Sequence, residues 1–78
     1  MNKIFSKDSA EMLMFRDSYN IIQQYWVPEN TEEYWQGLID ESNAFIERFR
    51  HTCPLSRKLI VAFNNQQEEV MRNDANKR

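Results

Sequence analysis

DSAEMLMFRDSYNIIQQYW, residues 8–26, decides the fold class. Met12, Phe15, Tyr19, Ile22 and Trp26 recur at alternating spacings of three and four, which aligns them along one face of a helix. Asp8 is the expected cap, with Glu11 in the reciprocal position of a capping box. Val27-Pro28 ends the segment, because the residue before a proline is pushed out of the helical region. A second apolar stripe, Met14, Ile21 and Tyr25, lies beside the first, with Leu13 also off the seam. A helix that touches two neighbours needs such a wide face, and so does a helix that meets another chain.

Outward from this segment the same periodicity repeats twice. Asn30 or Thr31 can cap a second helix from Thr31 to Arg50, with Glu32 and Glu33 in its first turn, where the helix dipole favours negative charge. Its expected seam is Trp35, Leu38, Ser42, Phe45 and Phe49. His51-Thr52-Cys53-Pro54 reads as a short connection, since proline is tolerated in a helix's first turn. A third helix then carries Leu55, Leu59, Phe63, Gln66 and Val70, and frays into a polar tail over residues 73–78. Gly37 marks a close helix crossing, and Ser42 and Gln66 are placed to hydrogen-bond across the seams.

Three helices of similar length with short connections predict an all-α, up-down-up three-helix bundle, completed in the alternative by self-association. Seventy-eight residues allow a single domain, residues 1–78, with 1–7 and 73–78 as flexible ends. One Gly and two Pro leave few residues for the tight turns of a many-stranded sheet. With a single cysteine, Cys53, no internal disulfide can form, which makes a cytoplasmic location the default expectation. No apolar run approaches the roughly 20 residues of a membrane span, and residues 1–7 lack the apolar segment of a signal peptide. No membrane association is expected.

A net charge of −2 argues against general attraction to nucleic acid, so only a local patch would serve. Arg48, Arg50, Arg57 and Lys58 form that patch, with no acid among them, while Glu29, Glu32, Glu33, Asp40 and Glu41 form an acidic run. Tyr25, Trp26, Tyr34 and Trp35 bracket the first turn and gather large aromatics at one end of the first helical hairpin. Such a cluster suits a protein-binding hot spot, and equally a plug that fixes the hairpin angle. Met14 and Ile21 join Tyr25, Trp26, Tyr34 and Trp35 as candidate partner-binding residues.

His51 and Cys53 are the chain's only His and Cys, too few for a metal site without other ligands. Glu32 with Glu33, and Glu68 with Glu69, are adjacent and point in different directions around a helix, unlike a converging acid–base pair. No Gly-rich phosphate loop is present. These features predict no catalytic residue, no metal and no cofactor. The expected function is a small non-catalytic helical module that binds a protein partner or itself. The competing reading is a nucleic-acid-associated accessory factor using the basic patch.

Overall fold

The computed structural model describes residues 1–76 and folds them into three α-helices: α1, Ala10–Gln24; α2, Glu32–Phe49; and α3, Leu55–Asn76. Each helix packs against both others, giving a small all-α three-helix bundle.

Local chemistry sets the helix ends. Ser9, not Asp8, caps α1: its extended backbone lets Oγ accept from the Met12 N–H at 3.2 Å. A preceding turn fixes this choice, because the Ser9 N–H and hydroxyl both donate to the Ser6 carbonyl. Glu11 pairs with Lys3 at 3.0 Å instead of closing a capping box, and that bond holds its carboxyl below the usual range. Helix α1 stops at Gln24, two residues short of Trp26, and the Tyr25 N–H makes the closing bond to the Ile21 carbonyl. Thr31 caps α2 by accepting from the Tyr34 N–H at 3.2 Å. Helix α3 continues through Asn76, past the expected fraying point at Asn73. Residues 77 and 78 of the expected flexible end lie outside the described residues. At the other end, residues 1–7 form no helix, although Lys3 holds Glu11 and Phe5 packs against Phe15.

The buried rows differ from two of the three expected seams. In α2 the row is Tyr34, Leu38, Ser42, Phe45 and Phe49, as expected except that Tyr34 replaces Trp35. In α1 it is Met14, Ser18 and Ile21, with Tyr25 packed against the core. In α3 it is Ser56, Ile60, Phe63 and Gln67. Apart from the shared Phe63, the expected seams of α1 and α3 are thus displaced by one residue, a rotation of about 100°. A serine in each buried row is the physical reason. Ser18 and Ser56 interrupt the apolar pattern, yet their small side chains let the backbones approach while larger residues turn outward.

Gln67, fully buried, closes the end of the bundle where α1 stops. Its Nε2 donates to the Tyr25 carbonyl at 2.7 Å and the Trp26 carbonyl at 2.8 Å, and lies 3.3 Å from the Tyr34 hydroxyl. Tyr34 in turn donates to the Tyr25 carbonyl at 2.6 Å. Carbonyls past a helix end have no intrahelical partner, and here α2 and α3 supply the donors. Gln67, and not Gln66, is therefore the polar residue that fixes register. Replacing Gln67 with Leu keeps the volume and removes the donors, so urea denaturation should show a loss of about 2–3 kcal/mol. A change below about 0.5 kcal/mol would mean that these bonds contribute no net stability.

Candidate partner-binding surface

The six candidate partner-binding residues separate into three environments. Met14, Ile21 and Tyr34 belong to the core, so in the folded chain they offer no free surface. Tyr25 and Trp35 are half-buried and pack edge-on against Tyr34, at centroid distances of 5.4 and 4.8 Å. Together these three rings form a plug that fixes the α1–α2 corner. Only Trp26 is largely exposed, at 58%, and it leaves the plug to stack on Phe63 of α3, 6.4 Å away with the ring planes 10° apart. The chain turns at Tyr25, and this turn separates two aromatics that are adjacent in sequence.

Trp26 belongs to a surface that the sequence pattern assigned to the core. Phe15, Tyr19 and Ile22 of α1, and Trp26 just beyond its end, follow one another one residue after the buried row. Phe15 is 39% exposed and Tyr19 64%. On α3, Leu55, Leu59, Ala62, Gln66 and Val70 run one residue before or three residues after the buried positions. Both rows lie on the side away from α2. On α1 the α2-facing side is marked by Asp17, which pairs with Arg48, and on α3 by Asn64, which donates to Ser42 at 3.0 Å. The two rows therefore converge on one outer face between the parallel helices α1 and α3, joined by the Trp26–Phe63 stack. The width of the apolar arc on α1 was the sequence signal for this face. Which of its two stripes lay outside was not readable.

Polar clefts lie elsewhere. One of about 320 Å³ between α1 and α2 is lined by Asp17, Asn20, Glu41 and Arg48 over Ile21 and Phe45. Another of about 350 Å³ at the α2–α3 corner is lined by Glu47, Arg50, Ser56 and Arg57. Of the basic candidates, Arg48 is paired with Asp17 and Arg50 with Glu47, while Arg57 and Lys58 are exposed on the first turn of α3. His51 is exposed in the connection and Cys53 is buried in the core, so the two do not share an environment. No described helix is long and apolar enough to cross a membrane, and no cluster of three His, Cys, Asp or Glu side chains suited to a metal occurs among the described residues. Comparison of the chain with protein-family models, curated proteins and solved structures gives no match.

The Tyr25 hydroxyl carries two testable consequences. It sits 2.7 Å from where a Cβ on Gly37 would stand, so the glycine is the gap into which the ring tip fits. Gly37→Ala gains about 0.8–1 kcal/mol of helix propensity but must displace the hydroxyl. A double-mutant cycle read by denaturation should therefore show Gly37→Ala stabilising in combination with Tyr25→Phe and neutral or destabilising alone. Burial and the neighbouring Glu41 carboxylate also push the Tyr25 phenol up to about 12, from an ordinary value of 10.0. Between those values the unfolded chain releases this proton before the folded chain does, so stability falls as pH rises. Below about pH 10 the phenol has no such effect. Tyr34 is raised in the same direction, chiefly by burial. Urea midpoints measured from about pH 9 to 12 should therefore fall, and fall less with Tyr25→Phe.

Proposed function

We propose that this chain is a small non-catalytic helical interaction module, which binds a protein partner or another copy of itself through the outer α1/α3 face. The observation that carries this reading is the exposure of Tyr19 and Trp26 within a continuous apolar row whose neighbouring row already fills the core. Neither large ring is needed to complete the core. Scattered exposed apolar residues are ordinary on a protein surface, whereas a row of aromatics beside exposed aliphatic residues of a neighbouring helix has the composition of a binding hot spot. The partner-binding residues proposed are accordingly Phe15 and Tyr19 of α1 and Trp26 just past its end, with Leu55, Leu59 and Val70 of α3. Met14, Ile21 and Tyr34 act behind them as support.

The nucleic-acid reading is weaker on the same geometry. Phosphate contact relies on cations free to displace counterions, and Arg48 and Arg50 already face carboxylates. A tagged pull-down from nuclease-treated extract of the source cell tests the two readings. The module reading predicts a protein recovered at fixed stoichiometry and lost on Tyr19→Glu or Trp26→Ala, with helical circular dichroism unchanged. Binding restored only when nuclease is omitted, and lost on Arg57→Glu with Lys58→Glu, would overturn it in favour of the nucleic-acid reading.

A further inference from the structure

Along the bundle axis the exposed charges separate by sign. The short α1–α2 connection, the α2 N-terminus and the second half of α3 share one end, because Gln67 joins Tyr25, Trp26 and Tyr34 there. Among the described residues, Glu29, Glu32, Glu33, Glu68, Glu69 and Asp74 are exposed at that end, with Arg72 as the opposing charge. The α2–α3 connection and the first turn of α3 share the other end, where Arg48, Arg50, Arg57 and Lys58 are exposed. The acids there are Asp8, Glu11, Asp17 and Glu47, of which Glu11, Asp17 and Glu47 are paired with Lys3, Arg48 and Arg50. One stripe condenses this asymmetry at the edge of the outer face. Lys58, Ala62, Asn65 and Glu69 follow on α3 at spacings of four, three and four, with unlike charges about 16 Å apart and small or neutral residues between.

We infer that the occupant of the α1/α3 face is a second copy of this chain, packed face to face and antiparallel about a two-fold axis lying across the helices. This deepens the module reading and rests on it. Two symmetric ways of covering the face exist. A two-fold axis parallel to the helices sets acidic end on acidic end. A two-fold axis across them sets α3 antiparallel to its copy and brings Lys58 of one chain toward Glu69 of the other, and the reverse. Charge selects the second.

Area agrees with this choice. Aromatic side chains offer about 150–250 Å² each, so the exposed parts of Phe15, Tyr19 and Trp26, with smaller contributions from the aliphatic residues of α3, present about 500 Å² of apolar surface. A standard interface takes about 800 Å² from each partner, of which about three-fifths is apolar. The face thus supplies the apolar share, and the polar stripe supplies the rim. Ala62 and Asn65 in the middle of that stripe let the paired α3 helices approach without a bulky or charged obstacle.

Sedimentation of the purified full chain over about 1 µM to 1 mM, with circular dichroism as the fold control, tests the inference. A monomer–dimer equilibrium is expected, with Tyr19→Glu raising the dissociation constant at least about tenfold, since it places a charge in the apolar centre. Lys58→Glu should also weaken the dimer, and adding Glu69→Lys should restore it, because only the antiparallel arrangement opposes those two positions. A chain monomeric at every concentration overturns self-association. If that monomer still retains a protein lost on Tyr19→Glu in the pull-down, the module reading stands without it; if it retains none, both fail. A dimer indifferent to Tyr19→Glu overturns the face. A dimer weakened by Lys58→Glu and not restored by the second change overturns the antiparallel arrangement.

Discussion

One buried amide holds the three helices in register. Gln67 enters the bundle from α3 and meets the carbonyls of Tyr25 and Trp26 where α1 has stopped, beside the Tyr34 hydroxyl of α2. A glutamine rarely sits fully buried, because its amide must leave water, and such burial is sustained only where hydrogen bonds replace those lost. At this site the need is mutual. The end of α1 exposes carbonyls that its own helix cannot satisfy, and Gln67 exposes donors that the apolar core cannot. Sliding α3 by one turn would strand both. The register of the bundle is thus set by a polar contact, and the apolar packing follows from it.

The buried serines determine what the surface looks like. Ser18 returns its hydroxyl to the Phe15 carbonyl at 2.8 Å, and Ser42 accepts from Asn64 at 3.0 Å, so both occupy the core at small volume with their polarity met. Ser56 occupies it with its Oγ unpartnered. Small residues at the centre draw the helices together, and a narrow core has no room for the larger side chains that flank it. Phe15, Tyr19 and Trp26 are consequently displaced outward. Gly37 does the same at the α1–α2 corner, where its missing Cβ admits the tip of Tyr25.

How much of this was legible follows from which physical signal each feature uses. The helices and their order could be read because a three-four spacing is a property of local sequence, and Pro28, Pro54 and Thr31 punctuate it. Most of the α2 seam could be read because its two phenylalanines, Phe45 and Phe49, lie in the buried row with Leu38, although Trp35, Ile39 and Ile46 form a second stripe beside it. The faces of α1 and α3 could not. Each helix has two apolar stripes about 100° apart, and residue size favoured the one built on Tyr19 and Trp26, or on Leu55 and Val70. Choosing the stripe through Ser18, Ser56 and Gln67 requires knowing that a glutamine on the third helix meets the end of the first, a contact separated by about forty residues. The exposure of the candidate residues was hidden for the same reason. Met14 and Ile21 could be read either as core or as surface, Tyr19 and Trp26 were placed on the core seam, and one rotation buries the first two and exposes the others.

That rotation also bears on what the outer face is for. A core that needed its largest apolar residues would have buried Tyr19 in preference to Ser18, since the ring removes far more apolar surface from water. The chain instead buries the serine and leaves the ring 64% exposed. The register set by Gln67 and the narrow core around the serines impose that order, and the tyrosine left in water gives up most of the stabilisation that its burial offers. On the proposed reading both stripes are buried in turn, the small one when the chain folds and the large one when a partner covers it. The charges at the two ends of the bundle do not compete with either step, since they lie outside both stripes. Lys58 and Glu69, on that proposed reading, orient what docks.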